Sequence, residues 1–272
     1  MRRLALTLAL AWIFSGTAPA SAQVSAFRRD AAKVPVGRVY EYLKSNRDGS
    51  HHGRVTLYVA AADRLEALKW APGDDTATLV VARIDWTRFS VARFENWQVR
   101  RGQPDARRVT LETARDADEL RVSVLPEKRI PIRAWPWHSY DFDFAGLGFV
   151  LPHLIDPERP VTFERVDATV VGNEFTDFKD LGPVTLRFER REEHEGKSAR
   201  RYRIGGPGLD GAEGVLWADA AEGHILEFQI PIPDEPGYRD GRLRLQSVGS
   251  LTPAGWSERK RACVGDKPAA SP

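Results

Sequence analysis

Short apolar segments with a period of two recur along the 272-residue chain and constrain its fold more than any other feature. In residues 54–59, for example, Val55, Leu57 and Val59 alternate with more polar neighbours. Similar segments follow at intervals of about 8 to 12 residues, with turn-forming Gly, Pro, Asn or Asp between them. This spacing is typical of antiparallel sheets rather than of alternating βαβ units. We therefore predict an all-β fold, an antiparallel meander that forms a curved sheet, open barrel or sandwich of about 12 strands.

Two hairpins are the clearest local predictions. Residues 36–59 contain two alternating segments separated by an Asp48-Gly49 turn signal. Residues 184–204 contain two further charged segments that flank a polar turn ending at Gly196. Both hairpins carry many charged residues.

The central stretch, residues 135–157, is much richer in aromatic and continuous apolar residues than the segments beside it. Its first part, up to Phe144, alternates like a strand with acids on one face and aromatic rings on the other. From Phe144 to Leu154 the apolar residues recur at helical spacing, and Asp143 is a suitable N-cap. Pro152 should bend or end this helix, because it has no N–H to donate. A helix of about two to three turns is unstable alone, so we expect it to pack on the sheet.

The two ends of the chain differ from its middle. Residues 1–22 begin with two arginines after Met, continue with an apolar run and end in small residues. This is the pattern of a signal peptide, cleaved after Ala22. We expect residues 23–35 to be a flexible leader, residues 36–250 to form a single all-β domain, and residues 251–272 to be a C-terminal tail.

Charge and cysteine content narrow the possible partners. The chain has 40 Lys and Arg against 38 Asp and Glu, and the predicted signal peptide removes two arginines and no acid. A mature chain without net charge argues against a nucleic-acid partner. Cys263 is the only cysteine, so no intrachain disulfide can form and no cysteine follows the signal peptide to carry a lipid anchor. We expect a soluble periplasmic product that is not an integral membrane protein, with Cys263 as a free, incidental thiol.

No pattern of catalytic or metal-binding residues stands out. His138, Asp141 and Asp143 come nearest to a metal or acid–base cluster, but on a strand the histidine and the two acids would face opposite sides. His51 and His52 are adjacent after a hairpin turn, so they should also diverge and lie at the surface. We therefore predict no catalytic residue, no metal site and no cofactor. A secreted metal-dependent or acid–base hydrolase is the third functional alternative.

The apolar residues of the central stretch are the candidate ligand-binding residues. They either fill the core or line a cavity for an acyl chain or another apolar ligand, because barrels of this size do both. The candidates are Trp135, Trp137, Tyr140, Phe142, Phe144, Leu147, Phe149 and Leu151.

The signal peptide, the charged hairpins and the central helix together resemble uncharacterised exported β-rich proteins of Gram-negative bacteria. In broad architecture, residues 36–248 also resemble the open half-barrels of periplasmic lipoprotein carriers (LolA-like proteins). That resemblance implies a curved sheet that cradles an apolar ligand beneath a helix, and it transfers no functional residue because it is architectural. We predict a periplasmic binding or carrier protein for a lipid-like or other apolar small molecule. The alternative is a non-catalytic structural or interaction module of the cell envelope, with a filled core and an envelope protein as its partner.

Overall fold

The computed structural model describes residues 23–71, 73–100, 105–113, 118–123, 127–171, 174–233 and 237–263. Within these ranges all the strands belong to one large curved sheet. The strands are β1 (Arg38–Ser45), β2 (Gly53–Ala61), β3 (Arg64–Trp70), β4 (Thr76–Asp85), β5 (Ser90–Arg100), β6 (Ala106–Thr113), β7 (Glu119–Ser123), β8 (Lys128–Pro131), β9 (Trp137–His138), β10 (Val161–Val171), β11 (Glu174–His194), β12 (Lys197–Gly205), β13 (Glu213–Asp219), β14 (Ile225–Ile230) and β15 (Gly241–Ser250). The helices are α1 (Ala145–Val150) and α2 (Pro253–Cys263), with 3-10 turns at Ala31–Lys33, Leu151–His153 and Pro207–Leu209.

The strand order is a continuous meander that is joined at its middle. From one edge to the other it runs β8, β7, β6, β5, β4, β3, β2, β1, β15, β14, β13, β12, β11, β10 and β9. β1 and β15 pair antiparallel, with Arg38 opposite Ser250, so the first and last strands are neighbours. The sheet does not close, although Lys128 of edge strand β8 forms a 3.0 Å ion pair with Asp177 of β11.

Side chains that alternate along the strands build two separate apolar clusters. On β1, Tyr40 and Tyr42 are buried in the main core, on the face that we call the inner face. Val39 points the other way, into a smaller cluster on what we call the outer face. The period of two in the sequence therefore reports this division between the faces.

The all-β prediction is confirmed, but the estimate of about 12 strands was too low, since the described residues form fifteen. Strands β8 and β9 have four and two residues, which is too short for alternation to be recognised. Strand β11 extends back to Glu174 through Gly182 and Pro183, residues that discourage a strand prediction.

Both predicted hairpins are confirmed. β1 and β2 pair antiparallel around the Asp48-Gly49 turn, where the Asp48 carboxylate accepts a 3.0 Å hydrogen bond from the Ser50 N–H. β11 and β12 pair around Glu195 and Gly196, which both have positive φ. Positive φ at both central residues matches a hairpin turn to the right-handed twist of its strands.

The expected flexible leader, residues 23–35, instead packs against the end of the central stretch. Phe27 is 6% exposed and forms a β-bridge with Leu154. The Arg28 N–H donates to the carbonyl of His153 over 2.8 Å. This packing could not be predicted from the sequence, because one buried aromatic residue produces no periodic pattern.

The expected C-terminal tail contains helix α2, which lies on the outer face. Trp256 is 3% exposed, stacks on Tyr58 with ring centroids 5.0 Å apart, and donates from Nε1 to Glu66 over 2.6 Å. This helix has a single buried residue, so it shows no apolar stripe in the sequence. The predicted signal peptide and the end of the tail, residues 264–272, lie outside the described residues.

None of the helices in the described part of the chain combines the length and the apolar character needed to cross a bilayer.

Candidate ligand-binding cavity

The chain enters helix α1 through a tight turn rather than through a strand. Only Trp137 and His138 pair as a strand, and Asp143 and Phe144 have φ values of 51° and 49°. Two successive left-handed residues cannot continue an extended segment. The predicted strand up to Phe144 was therefore wrong beyond His138. The predicted N-cap was wrong as well, because Phe144 occupies that position without a side-chain hydrogen bond.

Asp167 of β10 holds this turn in place through several hydrogen bonds. Its carboxylate accepts hydrogen bonds from the Ser139 hydroxyl (2.5 Å) and from the N–H groups of Tyr140 (3.1 Å) and Asp141 (3.0 Å). Arg165 also donates to it, and both side chains are almost fully buried. A buried carboxylate with this many donors compensates its own desolvation and orders the backbone around it.

Asp143 connects the same turn to strands β1 and β3 through ion pairs. Its carboxylate oxygens lie 2.8 Å from Lys44 Nζ on β1 and 2.9 Å from Lys69 Nζ on β3. The Lys69 ammonium also donates to the carbonyl of Asp141. All three charged groups are buried or nearly so, which explains why Asp143 is not available as a helix cap.

Helix α1 has six residues and continues as a 3-10 turn that contains Pro152, as predicted for the bend. Glycines let it approach its neighbours closely. A Cβ added at Gly148 would lie 3.2 Å from Ile225 of β14, and one at Gly146 would lie 3.1 Å from Val91 of β5.

A cavity of about 260 Å³ lies between this helix and the middle of the sheet. Its sheet wall is formed by inner-face residues of β1, β2 and β15, and its other wall by the helical segment and the turn before β14. The main apolar lining residues are Tyr40, Tyr42, Val55, Leu57, Val59 and Leu243 on the sheet, Ala145, Gly148, Phe149 and Pro152 on the helical segment, and Ile225.

Charged residues surround the mouth of this cavity. Lys33 belongs to the N-terminal 3-10 turn and donates to the carbonyl of Pro152 over 2.9 Å. Arg38 begins β1 and forms a 3.5 Å ion pair with Glu222 from the turn before β14. Asp143 also contributes to the lining, but its carboxylate is engaged by the two lysines.

The two tyrosines and the histidine of the wall are uncharged at neutral pH. Burial raises the pKa of Tyr40 to about 12 and raises the pKa of Tyr42 as well. The Tyr42 hydroxyl donates to the carbonyl of Ile225 over 3.0 Å. Burial lowers the pKa of His224, so its imidazole is uncharged at neutral pH. The inside of the cavity is therefore uncharged apart from Asp143, and its charges gather at the mouth.

The eight residues that the sequence nominated all lie in the main core, but only Phe149 lines this cavity. The others pack against one another and against the sheet. Tyr140 and Phe144 have ring centroids 5.2 Å apart, and Phe142 meets Phe94 edge-on at 5.5 Å. The cavity residues that sequence reasoning missed, such as Leu57 and Leu243, are alternate inner-face positions of strands. The alternation of apolar and polar residues on these strands is visible in the sequence. Which face of the sheet lies against the helix depends on how the strands pair, and the sequence does not show that.

The three residues of the weighed acid–base cluster do not converge on one site. His138 is fully buried against Phe163, with ring centroids 5.4 Å apart, whereas Asp143 binds the two lysines. Within the described ranges, no group of three or more His, Cys, Asp and Glu is placed to hold a metal ion. His51 and His52 are exposed, as predicted.

Cys263 is a free thiol at the end of α2, partly buried against the outer-face cluster. Burial raises the pKa of this thiol, against the opposing effect of Arg259. The cations near it in the sequence therefore do not activate it.

Comparison with known proteins gives similarities to solved structures only. No family model matches the chain, and no curated protein matches it. Among solved structures, the chain is similar to a "putative outer membrane lipoprotein-sorting protein domain from Vibrio parahaemolyticus", with 10% sequence identity and a TM-score of 0.23. The match covers 86% of this chain and 94% of that one. A likeness of this degree carries no inference about function.

Proposed function

We propose that this protein is a periplasmic carrier that binds a lipid-like or other apolar small molecule in the cavity beneath α1. The observation that carries the proposal is the cavity itself, a mainly apolar space of about 260 Å³ between a short helix and the inner face. A pre-formed apolar pocket with a few polar groups at its edge is the usual form of a small-molecule site.

The way the helix is attached supports the same function. Helix α1 is held by side-chain networks at its start, through Asp143 and Asp167, and by the packing of its own apolar residues. The 3-10 turn after the helix is held as well, by hydrogen bonds from Lys33 to Pro152 and from Arg28 to His153, so the segment is fixed at both ends over the cavity. Periplasmic location is part of the proposal because of the predicted signal peptide.

Native mass spectrometry of the protein purified from a periplasmic extract tests the proposal. We expect a co-purifying apolar molecule, or saturable uptake of an apolar probe such as dodecanol after the protein has been delipidated. Leu57→Trp places a larger side chain in the cavity from β2. It should reduce probe binding at least about tenfold, because the indole ring and the ligand cannot occupy the same space without shifting the surrounding side chains.

Ile155→Trp is the matched control, because it adds the same ring at a residue that is 54% exposed and lies outside the cavity lining. It should bind the probe like the natural protein. If neither a ligand nor saturable probe binding is found, the alternative of a filled-core envelope module is favoured instead. Near-ultraviolet circular dichroism establishes that both variants are folded.

A further inference from the structure

A second, more open groove of about 600 Å³ adjoins the mouth of the cavity. It lies where β1 begins, β12 begins and β13 ends. Arg38, Glu222 and His224 line both the groove and the cavity. These side chains therefore lie at the boundary between the apolar cavity and a groove that also carries Lys197 and Asp219.

Arg38 and Glu222, at the boundary between the cavity and the groove, form an ion pair that is accessible to solvent. Arg38 and Glu222 are 3.5 Å apart, with 34% and 52% of their side chains exposed. His224 packs against the Tyr40 ring at 5.1 Å, and its Nδ1 lies 3.4 Å from the Glu222 carboxylate. Exposed ion pairs of this kind contribute little stability and exchange partners readily.

The groove is lined by two cations, Arg38 and Lys197, and by two acids, Asp219 and Glu222. The Asp219 carboxylate already accepts hydrogen bonds from the N–H groups of Ala221 (2.8 Å) and Glu222 (2.7 Å), so it serves the turn. Lys197 and Ser198 at the start of β12 also line the groove. An acidic group that replaced Glu222 on Arg38 would also have the Lys197 ammonium within the same groove.

We infer that the ligand is a single-chain anionic amphiphile, whose chain occupies the cavity and whose carboxylate or phosphate head lies in the groove with Arg38 and Lys197. The inference rests on the proposed function and adds the chemical class of the ligand. One chain is expected because the cavity, at about 260 Å³, is slightly smaller than the roughly 300 to 1,000 Å³ of typical small-molecule sites. The amphiphile's chain matches the apolar residues of the cavity, and its charged head matches the two cations that line the groove.

Four probes with the same twelve-carbon chain test the inference by isothermal titration: dodecanol, dodecanoate, dodecyl phosphate and dodecyltrimethylammonium. We expect at least one of the two anions to bind about tenfold tighter than dodecanol, as a charge-assisted hydrogen bond supplies, and the cation to bind more weakly. The comparison between the two anions identifies which head the groove takes. The anion preference should shrink between about 0.01 M and about 1 M salt, because the contact is partly exposed.

Variants of the groove residues test which side chains cause the preference for an anion. Arg38→Ala and Lys197→Ala should each lower the ratio of anion to dodecanol affinity by about three- to tenfold. Glu222→Gln should raise that ratio, since it removes the competing carboxylate. Arg83→Ala, which loses an exposed 3.0 Å ion pair with Asp63 outside the cavity and the groove, is the matched control.

The outcomes separate the two proposals. Equal affinity for all four probes, or preference for the cation, overturns the anionic class while the carrier function stands. An unchanged ratio in Lys197→Ala and Arg38→Ala also overturns it. If no probe binds, both the function and the inference fail. Thermal unfolding is measured for every variant, and Lys197→Ala, on an exposed residue, decides the matter if Arg38→Ala does not fold.

Discussion

Asp143 illustrates how one residue can position the central segment. Its carboxylate is 2% exposed as a residue and binds Lys44 and Lys69, which lie on strands that are not neighbours in the sheet. Removing one partner from a buried charge cluster is costly, because the remaining charges keep their desolvation penalty without its compensation. The position of α1 over the cavity therefore depends on this charge.

Asp143→Ala should destabilise the fold by about 3 to 5 kcal/mol. The measurement is the free energy of unfolding from urea titration. Glu112→Ala is the control, since it removes an exposed 3.4 Å ion pair with Arg93 and should cost less than about 1 kcal/mol. A loss in Asp143→Ala as small as that of the control would show that the buried cluster does not hold the segment.

His138 is the second residue whose burial has a measurable consequence. Burial lowers its pKa to about 3 from an ordinary value of 6.5, and neither ring nitrogen has a hydrogen-bond partner among the described residues. Because the folded-state pKa is depressed, the unfolded chain binds a proton first as the pH falls. The stabilising effect of the neutral ring is complete above about pH 6.5 and is lost progressively towards pH 3.

His138→Phe should therefore flatten the dependence of stability on pH. Between about pH 6 and pH 4, the natural protein should lose about 1 kcal/mol more per pH unit than the variant. Urea unfolding at several pH values measures this slope. His52→Gln, at an exposed turn residue, should keep the natural slope. Identical slopes in His138→Phe and the natural protein would show that the burial of His138 does not cause this dependence on pH.

At the scale of elements, the two helices have different tasks. Helix α1 is too short to be stable alone and exists because the sheet buries it. Helix α2 covers part of the outer face through Trp256, whose ring packs on Tyr58. Without α2, an apolar patch that includes Val39 and Leu68 would be open to solvent.

Trp256→Ala should cost about 3 to 5 kcal/mol and expose that patch. Urea unfolding measures the loss, and size-exclusion chromatography should show self-association. Trp256→Phe keeps the stacking on Tyr58 but removes the hydrogen bond to Glu66, so its loss should be clearly smaller. If both variants behave like the natural protein, α2 is not part of the folded unit.

Elements differed in how well the sequence predicted them, for identifiable reasons. The β1–β2 hairpin was predictable because alternation and an Asp-Gly turn agreed. Helix α2 and the packing of Phe27 were missed, since each depends on a single anchoring aromatic residue. The start of α1 was misjudged because the tertiary partners of Asp143, two distant lysines, override its preference for a cap.

For the whole molecule, the pairing of β1 with β15 is what creates the cavity. It places Tyr42 of β1 and Leu243 of β15 on neighbouring strands beneath the helix, although they are about 200 positions apart in the chain. The sequence could predict the curved sheet and the helix on it, but not this juxtaposition. For that reason it nominated the aromatic residues of the central stretch, of which Phe149 alone reaches the cavity lining.

Methyl NMR of the delipidated protein titrated with dodecanol tests most directly whether an apolar ligand occupies the cavity. We expect nuclear Overhauser contacts between the dodecanol chain and the methyl groups of the cavity wall, and none to the outer face. The methyl groups expected to respond are those of Val55, Leu57, Val59, Ile225 and Leu243, and the silent ones those of Leu68 and Leu79. Contacts to Leu68 and Leu79 alone, or no saturable contacts at all, would show that the cavity does not bind the apolar chain.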